Sequence, residues 1–298
     1  MKRIYTVVVA VLISMFAAAT AGAQDWGRLL QAGVKTVQSM TISDAQVQGY
    51  VHQYINNLDA KSQVAPADNP YTVRLNRIVK GVTQVDGIPL NFKVYITQDV
   101  NAFACADGSV RVYSGLMDLM NDQEVLGVIG HEVGHVANKD TKNAFKEALR
   151  TSALRDVLGS AGGTIGMLSD SQLGAIGEAL LNKGYSRKQE TNVDTYGYNF
   201  LKAHGRNPMY MATAFKKLGS ISGGGSKNAL MQAFSDHPDT NKRIKNIEKM
   251  GKKDGYSYPT ATATKTTGKT PAVKKLNNDS SGNVEKLKSA KKSTKYGK

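Results

Sequence analysis

Apolar residues recur along this chain in two distinct periods. Over residues 44–60, Val47, Val51, Ile55 and Leu58 fall every three or four positions, the spacing of one face of a helix. Tyr71 to Gly81 repeats that spacing with Leu75, Ile78 and Val79. The period then shortens to two: Asn91 to Thr97 places Phe92, Val94 and Ile96 on one side of a strand. Asn101 to Gly108 reads as a loop carrying the turn dipeptide Asp107-Gly108, and Ser109 to Tyr113 alternates again and is expected to pair with the preceding strand. From Asp122 to Ala137 the helical period returns. Asn121 stands at a capping position, and Glu124 is placed to reach back to it. Gly127, Gly130 and Gly134 form a stripe on this helix, which implies close approach of another segment, because each glycine there costs about 1 kcal/mol relative to alanine.

Residues 151–184 are rich in Gly, Ala, Ser and Leu with interrupted helical spacing. Ser186 and Gln189 spell a second capping box, for a helix reaching Ala203 and ended by Gly205. Asn207-Pro208 opens another helix to Leu218, and Ile221 to Lys227 reads as a Gly/Ser loop. Pro238 suits the first turn of a last helix that turns Ile244, Ile247 and Met250 inward. No internal repeat is evident.

Charge and composition change the picture at the two ends. Lys2 and Arg3, the apolar run Val7 to Ala19 and the small residues Ala21-Gly22-Ala23 read as an export leader with Gln24 as the mature start; an uncleaved anchor is the alternative. Export, most simply to a periplasm and otherwise to the medium, is therefore expected. The chain carries +15, but residues 252–298 hold twelve lysines against Asp254, Asp279 and Glu285, a net +9. That tail has too few large apolar residues to bury a core and is expected to be disordered. Its charge suits an anionic membrane or cell-wall surface; nucleic acid is not an expected partner of an exported protein. The one cysteine, Cys105, excludes an internal disulfide and reads as a small buried side chain.

The chemistry sits in His131-Glu132-Val133-Gly134-His135. Histidines four apart on a helix share a face and can converge on one ion, and neutral imidazole suits Zn²⁺. Glu132 lies beside them as a general base for an attacking water. A catalytic zinc needs a third protein ligand. A distal histidine in the metzincin manner would require glycine at position 138 and histidine at 141, where Asn138 and Thr141 stand. Glu178, Glu190 and Glu248 remain. Glu190 is the best placed, in the first turns of a capped helix, with Asp194 one turn on to hold a ligating histidine from behind.

Taken in order, Asn101-Ala102-Phe103-Ala104, Val112-Tyr113-Ser114-Gly115-Leu116, the His131–His135 motif, Ser186-Arg187-x-x-Glu190-x-x-Val193-Asp194 and His237-Pro238 followed by Arg243-Ile244 resemble the zinc peptidases of the CAAX prenyl protease (Ste24) and HtpX type, which are gluzincins. The match covers most of residues 45–250. Val193 stands where that family often has alanine, and the spanning helices of its membrane members are missing around 151–184, so the likeness is to soluble, exported members. The resemblance implies Glu190 as third ligand, Asp194 as its supporting acid, His237 near the reacting carbonyl and Arg243 as a structural or site-supporting cation.

The expectation is thus an α+β, mostly helical fold with a small antiparallel sheet beside the metal helix. Its division would be a leader at 1–23, a peptidase domain at 24–251 and a basic tail at 252–298. Strand Ser109, Val110, Arg111, Val112, Tyr113 is expected at the edge facing the cleft, where an extended substrate could add by backbone hydrogen bonds. The expected activity is zinc-dependent endopeptidase action on extended or misfolded polypeptides. Two alternatives stand beside it: a chaperone-like assembly factor whose site is largely shut by residues 151–184, and a binding protein whose zinc is structural.

Overall fold

The structure is a computed structural model, described over residues 42–150, 166–181, 184–222 and 240–260. The leader (1–23), His237 and the tail beyond residue 260 lie outside the described residues. Helix α1 (Asp44–Lys61) and helix α2 (Pro70–Ile78) come first, capped by Ser43 and Asn69. A short hairpin, β1 (Gln84–Val85) and β2 (Ile88–Pro89), leads to β3 (Asn91–Tyr95), β4 (Ala102–Ala104) and β5 (Ser109–Tyr113). Then follow α3 (Ser114–Leu119), α4 (Asp122–Ala137), α5 (Asp140–Leu149), α6 (Asp170–Leu181), α7 (Arg187–Ala203), α8 (Met209–Ser222) and α9 (Thr240–Lys253).

Both capping boxes read from the sequence are formed. Asn121 Oδ1 accepts from the Gln123 and Glu124 amides while Glu124 accepts from the Asn121 amide, and Ser186 and Gln189 do the same at α7. These caps fix where the two helices of the site begin.

The larger sheet is mixed, in the order β3-β5-β4. β5 pairs parallel with β3, Asn91 opposite Ser109, and antiparallel with β4, Ala104 opposite Val110. Two expectations are corrected here. The sheet is not wholly antiparallel, because a three-residue strand inside the predicted loop supplies the antiparallel partner. And Ser109, Val110, Arg111, Val112 and Tyr113 form the central strand, not the edge. Arg111 in the middle of that strand shows how the strand can be central. It is 1 % exposed. Its Nε and Nη2 donate to Asp59 Oδ1 and Oδ2 at 2.8 and 3.0 Å, and Nη1 donates to the Asn91 and Val110 carbonyls. A buried cation paired in this way lets the strand be covered on both faces. The edge beside α4 is β4.

Two clusters of buried side chains follow. One joins the sheet through Val94, Val110 and Val112 to α4, α7, α8 and α9 through Ile129, Leu201, Phe215 and Ile247. The other joins α1 to α5 and α6 through Val51, Ile55, Phe145 and Ile176, with Cys105 inside it. Burial pushes the Cys105 thiol's pKa upward, so it stays a neutral packing residue. The ordered body also runs beyond Gly251: Lys202 and Tyr198 hold Asp254, and Tyr258 donates to Glu248. Lysine-rich composition hid these packed tyrosines from the sequence reading.

Gly115, just after β5, shows how tightly the sheet's exit is packed. A Cβ there would lie 2.4 and 2.5 Å from the carbonyl oxygens of Gln98 and Asp99. Backbone must yield, so Gly115→Ala is expected to destabilise by about 1–3 kcal/mol, the scale of overpacking. Thermal unfolding of the variant checks this; an unchanged melting temperature would show that the Gln98–Asp99 turn gives way freely.

Candidate metal centre

α4 and α7 pack closely, and small residues allow it. A Cβ at Gly130 would fall 2.6 Å from the Phe200 ring, and one at Gly197 3.1 Å from the His131 amide nitrogen. The glycine stripe of α4 therefore receives α7 side chains, while α7 contributes its own glycine opposite the first histidine. This approach brings Glu190 on α7 over the two histidines of α4.

Both imidazoles present Nε2 to that carboxylate: His131 Nε2 lies 3.8 Å from Glu190 Oε2, and His135 Nε2 3.6 Å from Glu190 Oε1. One donor atom from each of the three residues falls within 4.8 Å of the other two, and all three residues are buried. Glu178, by contrast, is exposed on α6, and Glu248 pairs with Lys216 on the outer side of α9. Among the described residues, geometry singles out Glu190 from the candidates.

The opposite ring nitrogens are each held by an acid. Asp194 Oδ1 is 3.1 Å from His131 Nδ1, and Asp140 Oδ2 is 3.1 Å from His135 Nδ1. A carboxylate at Nδ1 keeps the proton there and leaves Nε2 basic. Arg243 joins the group from α9: Nε and Nη2 donate to Asp194 Oδ2 and Oδ1 at 2.8 and 2.7 Å, and Nη1 approaches Glu190 Oε2 at 2.9 Å. Its guanidinium lies 4.3 Å from the Phe215 ring centre. Burial works to lower the pKa of Arg243, but the Asp194 pair and the charges of Glu190 and Glu132 outweigh it and raise it.

Glu132 follows His131 on α4 and is 5 % exposed. Burial pushes its carboxyl up to about 7; His135 and Arg243 pull it down, Glu190 pushes it up, and a hydrogen bond from the Ala104 backbone of β4 steadies the charged form. A carboxyl near neutrality can both take and return a proton at working pH.

The donor set fits zinc. Two neutral imidazoles and one carboxylate are a familiar ligand set for a catalytic zinc site, which keeps a further position open. The charge balance agrees: Glu132, Asp140, Glu190 and Asp194 are all buried, and Arg243 is the one buried guanidinium or ammonium facing them among the described residues. A divalent cation offsets that excess.

Two residues escaped the sequence reading. Asp140 was invisible because the chain reverses between it and His135 through Lys139, whose φ of 62° and ψ of 17° are left-handed. Only that reversal returns the first residue of α5 to the second histidine. Tyr185, just before α7, lies flat on the His135 ring with centroids 4.0 Å apart and planes at 22°; no spacing rule points to it. His237 lies outside the described residues.

Comparison with known proteins gives this geometry its lineage. Peptidase family M48 matches residues 71–251. Metalloprotease LoiP of Escherichia coli is 43% identical over 232 residues, covering 78% of this chain and 90% of LoiP. Metalloprotease YcaL of the same organism is 38% identical over 224 residues, covering 75% of this chain and 87% of YcaL. A protease HtpX homolog of Desulfatibacillum aliphaticivorans is 31% identical over 198 residues, covering 58% of this chain and 62% of that protein. The matched segment contains the convergent histidines, Glu132, Glu190 and Arg243, and the chain belongs to peptidase family M48 as a zinc metallopeptidase.

Proposed function

We propose that this metallopeptidase cleaves extended or misfolded polypeptides in the cell envelope, with Glu132 as general base. The observation that carries this reading is the position of β4. Among the described residues it is the edge strand of the sheet on the side of α4, and its Ala104 amide donates to Glu132. An extended peptide adding to β4 would run past the metal ligands held by backbone hydrogen bonds, largely independent of its sequence. A folded substrate has no free strand to offer.

Zinc held by His131, His135 and Glu190 would supply Lewis acidity toward the scissile carbonyl. Glu132 takes the proton of the attacking water and passes it to the leaving amine. Asp194 and Asp140 hold His131 and His135 in the tautomer that ligates. His237 is assigned the developing oxyanion, as a donor from the segment preceding α9. The envelope location is supported by the leader-like first 23 residues. The basic tail would tether the enzyme to an anionic surface.

The test compares casein with a stably folded protein of similar size. Casein is expected to be cleaved, the folded protein spared, and a zinc chelator to stop cleavage until zinc is restored. Equal cleavage of both, or casein hydrolysis indifferent to chelation, would sink the reading. A second reading, an assembly factor with a largely shut site, is favoured by the fully buried histidines and by Tyr185 lying on His135. It requires that Glu132→Gln assist substrate assembly as well as the wild type does.

A further inference from the structure

The side chain of Gln189 stands between the two halves of the metal site. Its Oε1 accepts from the Ser186 amide at 3.0 Å and from Ser186 Oγ at 2.8 Å, which closes the cap of α7. Its Nε2 donates to Asp140 Oδ1 at 2.7 Å. The other oxygen of Asp140 faces His135 Nδ1 at 3.1 Å. We propose that Gln189 is a positioning residue for the metal: one amide ties the cap of the helix that carries Glu190 to the acid that orients His135. The inference rests on His131, His135 and Glu190 being the zinc ligands.

Donors and acceptors run through this chain in one order. Because Oε1 receives two donors from Ser186, the amide cannot turn over without breaking the cap, so Nε2 must face Asp140. A carboxylate accepting from Gln189 on one oxygen has its other oxygen directed to His135, where it accepts the Nδ1 proton. That leaves His135 Nε2 as the ligating atom, 3.6 Å from Glu190 Oε1. Gln189 is also next to Glu190 in sequence, so the same cap that starts α7 sets the second and third ligands in register. Asp140 reaches its place only through the left-handed turn at Lys139, and two hydrogen bonds then fix its rotamer against both helices.

Capping alone does not require glutamine. A capping box is served equally by glutamate, which also suits a helix N-terminus. Glutamate, however, has no N–H to give Asp140 and would set two carboxylates face to face. Gln189→Glu therefore separates the two roles: it preserves the cap and removes the donor.

The experiment uses the full chain and measures the zinc dissociation constant by competition with a chromophoric chelator, together with the melting temperature of the zinc-free protein. Gln189→Glu is expected to weaken zinc by about 10–100-fold, the range for residues that orient a ligand, with the zinc-free melting temperature unchanged. The double variant Asp140→Asn with Gln189→Glu exchanges amide and carboxylate: the introduced amide nitrogen donates to the introduced carboxylate, and its oxygen still accepts from His135. It is expected to recover most of the lost affinity. Wild-type zinc binding by Gln189→Glu overturns the inference, as does a loss that the double variant does not relieve. A fall in the zinc-free melting temperature matching the zinc loss assigns Gln189 to the fold and overturns it too. His131→Ala separates this from the parent reading: if that variant keeps zinc at wild-type affinity, the ligand assignment fails and the inference with it. If it loses zinc while Gln189→Glu does not, the inference alone fails.

Discussion

Replacing Glu132 by glutamine is expected to lower peptide hydrolysis by about 10²–10⁴-fold while the protein keeps its zinc. The two outcomes separate because the carboxylate is beside the ligand set without belonging to it: the converging donors come from His131, His135 and Glu190. Glutamine has nearly the same shape. Its oxygen can still accept the Ala104 amide hydrogen, so the contact between α4 and β4 survives. What it cannot do is bind the proton released by the attacking water and return it to the leaving nitrogen. Burial already drives this carboxyl up to about 7, so a neutral amide costs little in that position, and the variant's thermal stability should match or exceed that of the wild type. Zinc content by elemental analysis, set beside kcat/KM on an unstructured peptide, gives both numbers from one preparation. A variant that holds zinc and hydrolyses at the wild-type rate would remove Glu132 from the mechanism. One that is inactive because it has lost zinc would make Glu132 a ligand.

How much of this was legible in the sequence depends on how local the physics was. Asn121 with Glu124 and Ser186 with Gln189 announce their helices because a capping box is completed within four residues. His131 and His135 share a face by helical period alone, and Asp194 was found because it lies one turn beyond Glu190. Most of the failures are non-local. The strand holding Arg111 was expected at the edge, but Asp59, fifty-two positions earlier, neutralises that arginine inside the sheet. β4 is three residues long, too short to show an alternation, so the true edge was read as loop. Asp140 is near His135 in the chain, yet its role depends on one left-handed residue, Lys139, and on an amide forty-nine positions later. Arg243 was reached only through the resemblance, because a lone arginine on an amphipathic helix carries no sign that two acids from another helix await it.

Arg243 also supports the most direct measurement of how the site's charges are balanced. Arg243→Ala is expected to destabilise the zinc-free protein by about 3–5 kcal/mol, the cost of breaking a buried ion pair from one side. Asp194 and Glu190 are 2 % and 1 % exposed, and both rest on this guanidinium, which bridges them through three nitrogens. Without it, two carboxylates remain in a dry interior, and the Phe215 ring loses the planar cation that covers it. For a domain of this size the melting temperature should fall by roughly 6–20 °C. Zinc works in the opposite direction. An ion held by Glu190 brings positive charge to the same pocket, so it should recover a larger share of stability in the variant than in the wild type, provided the concentration is saturating for both. Arg243→Lys should lie between the two: it restores one charge but cannot span Asp194 and Glu190 with a fixed fork. Calorimetry on the three proteins, chelated and zinc-loaded, yields the comparison. If zinc raises the melting temperature of Arg243→Ala by no more than that of the wild type, then Arg243 and the metal do not share the charge of Glu190, and the electrostatic account of the pocket is wrong.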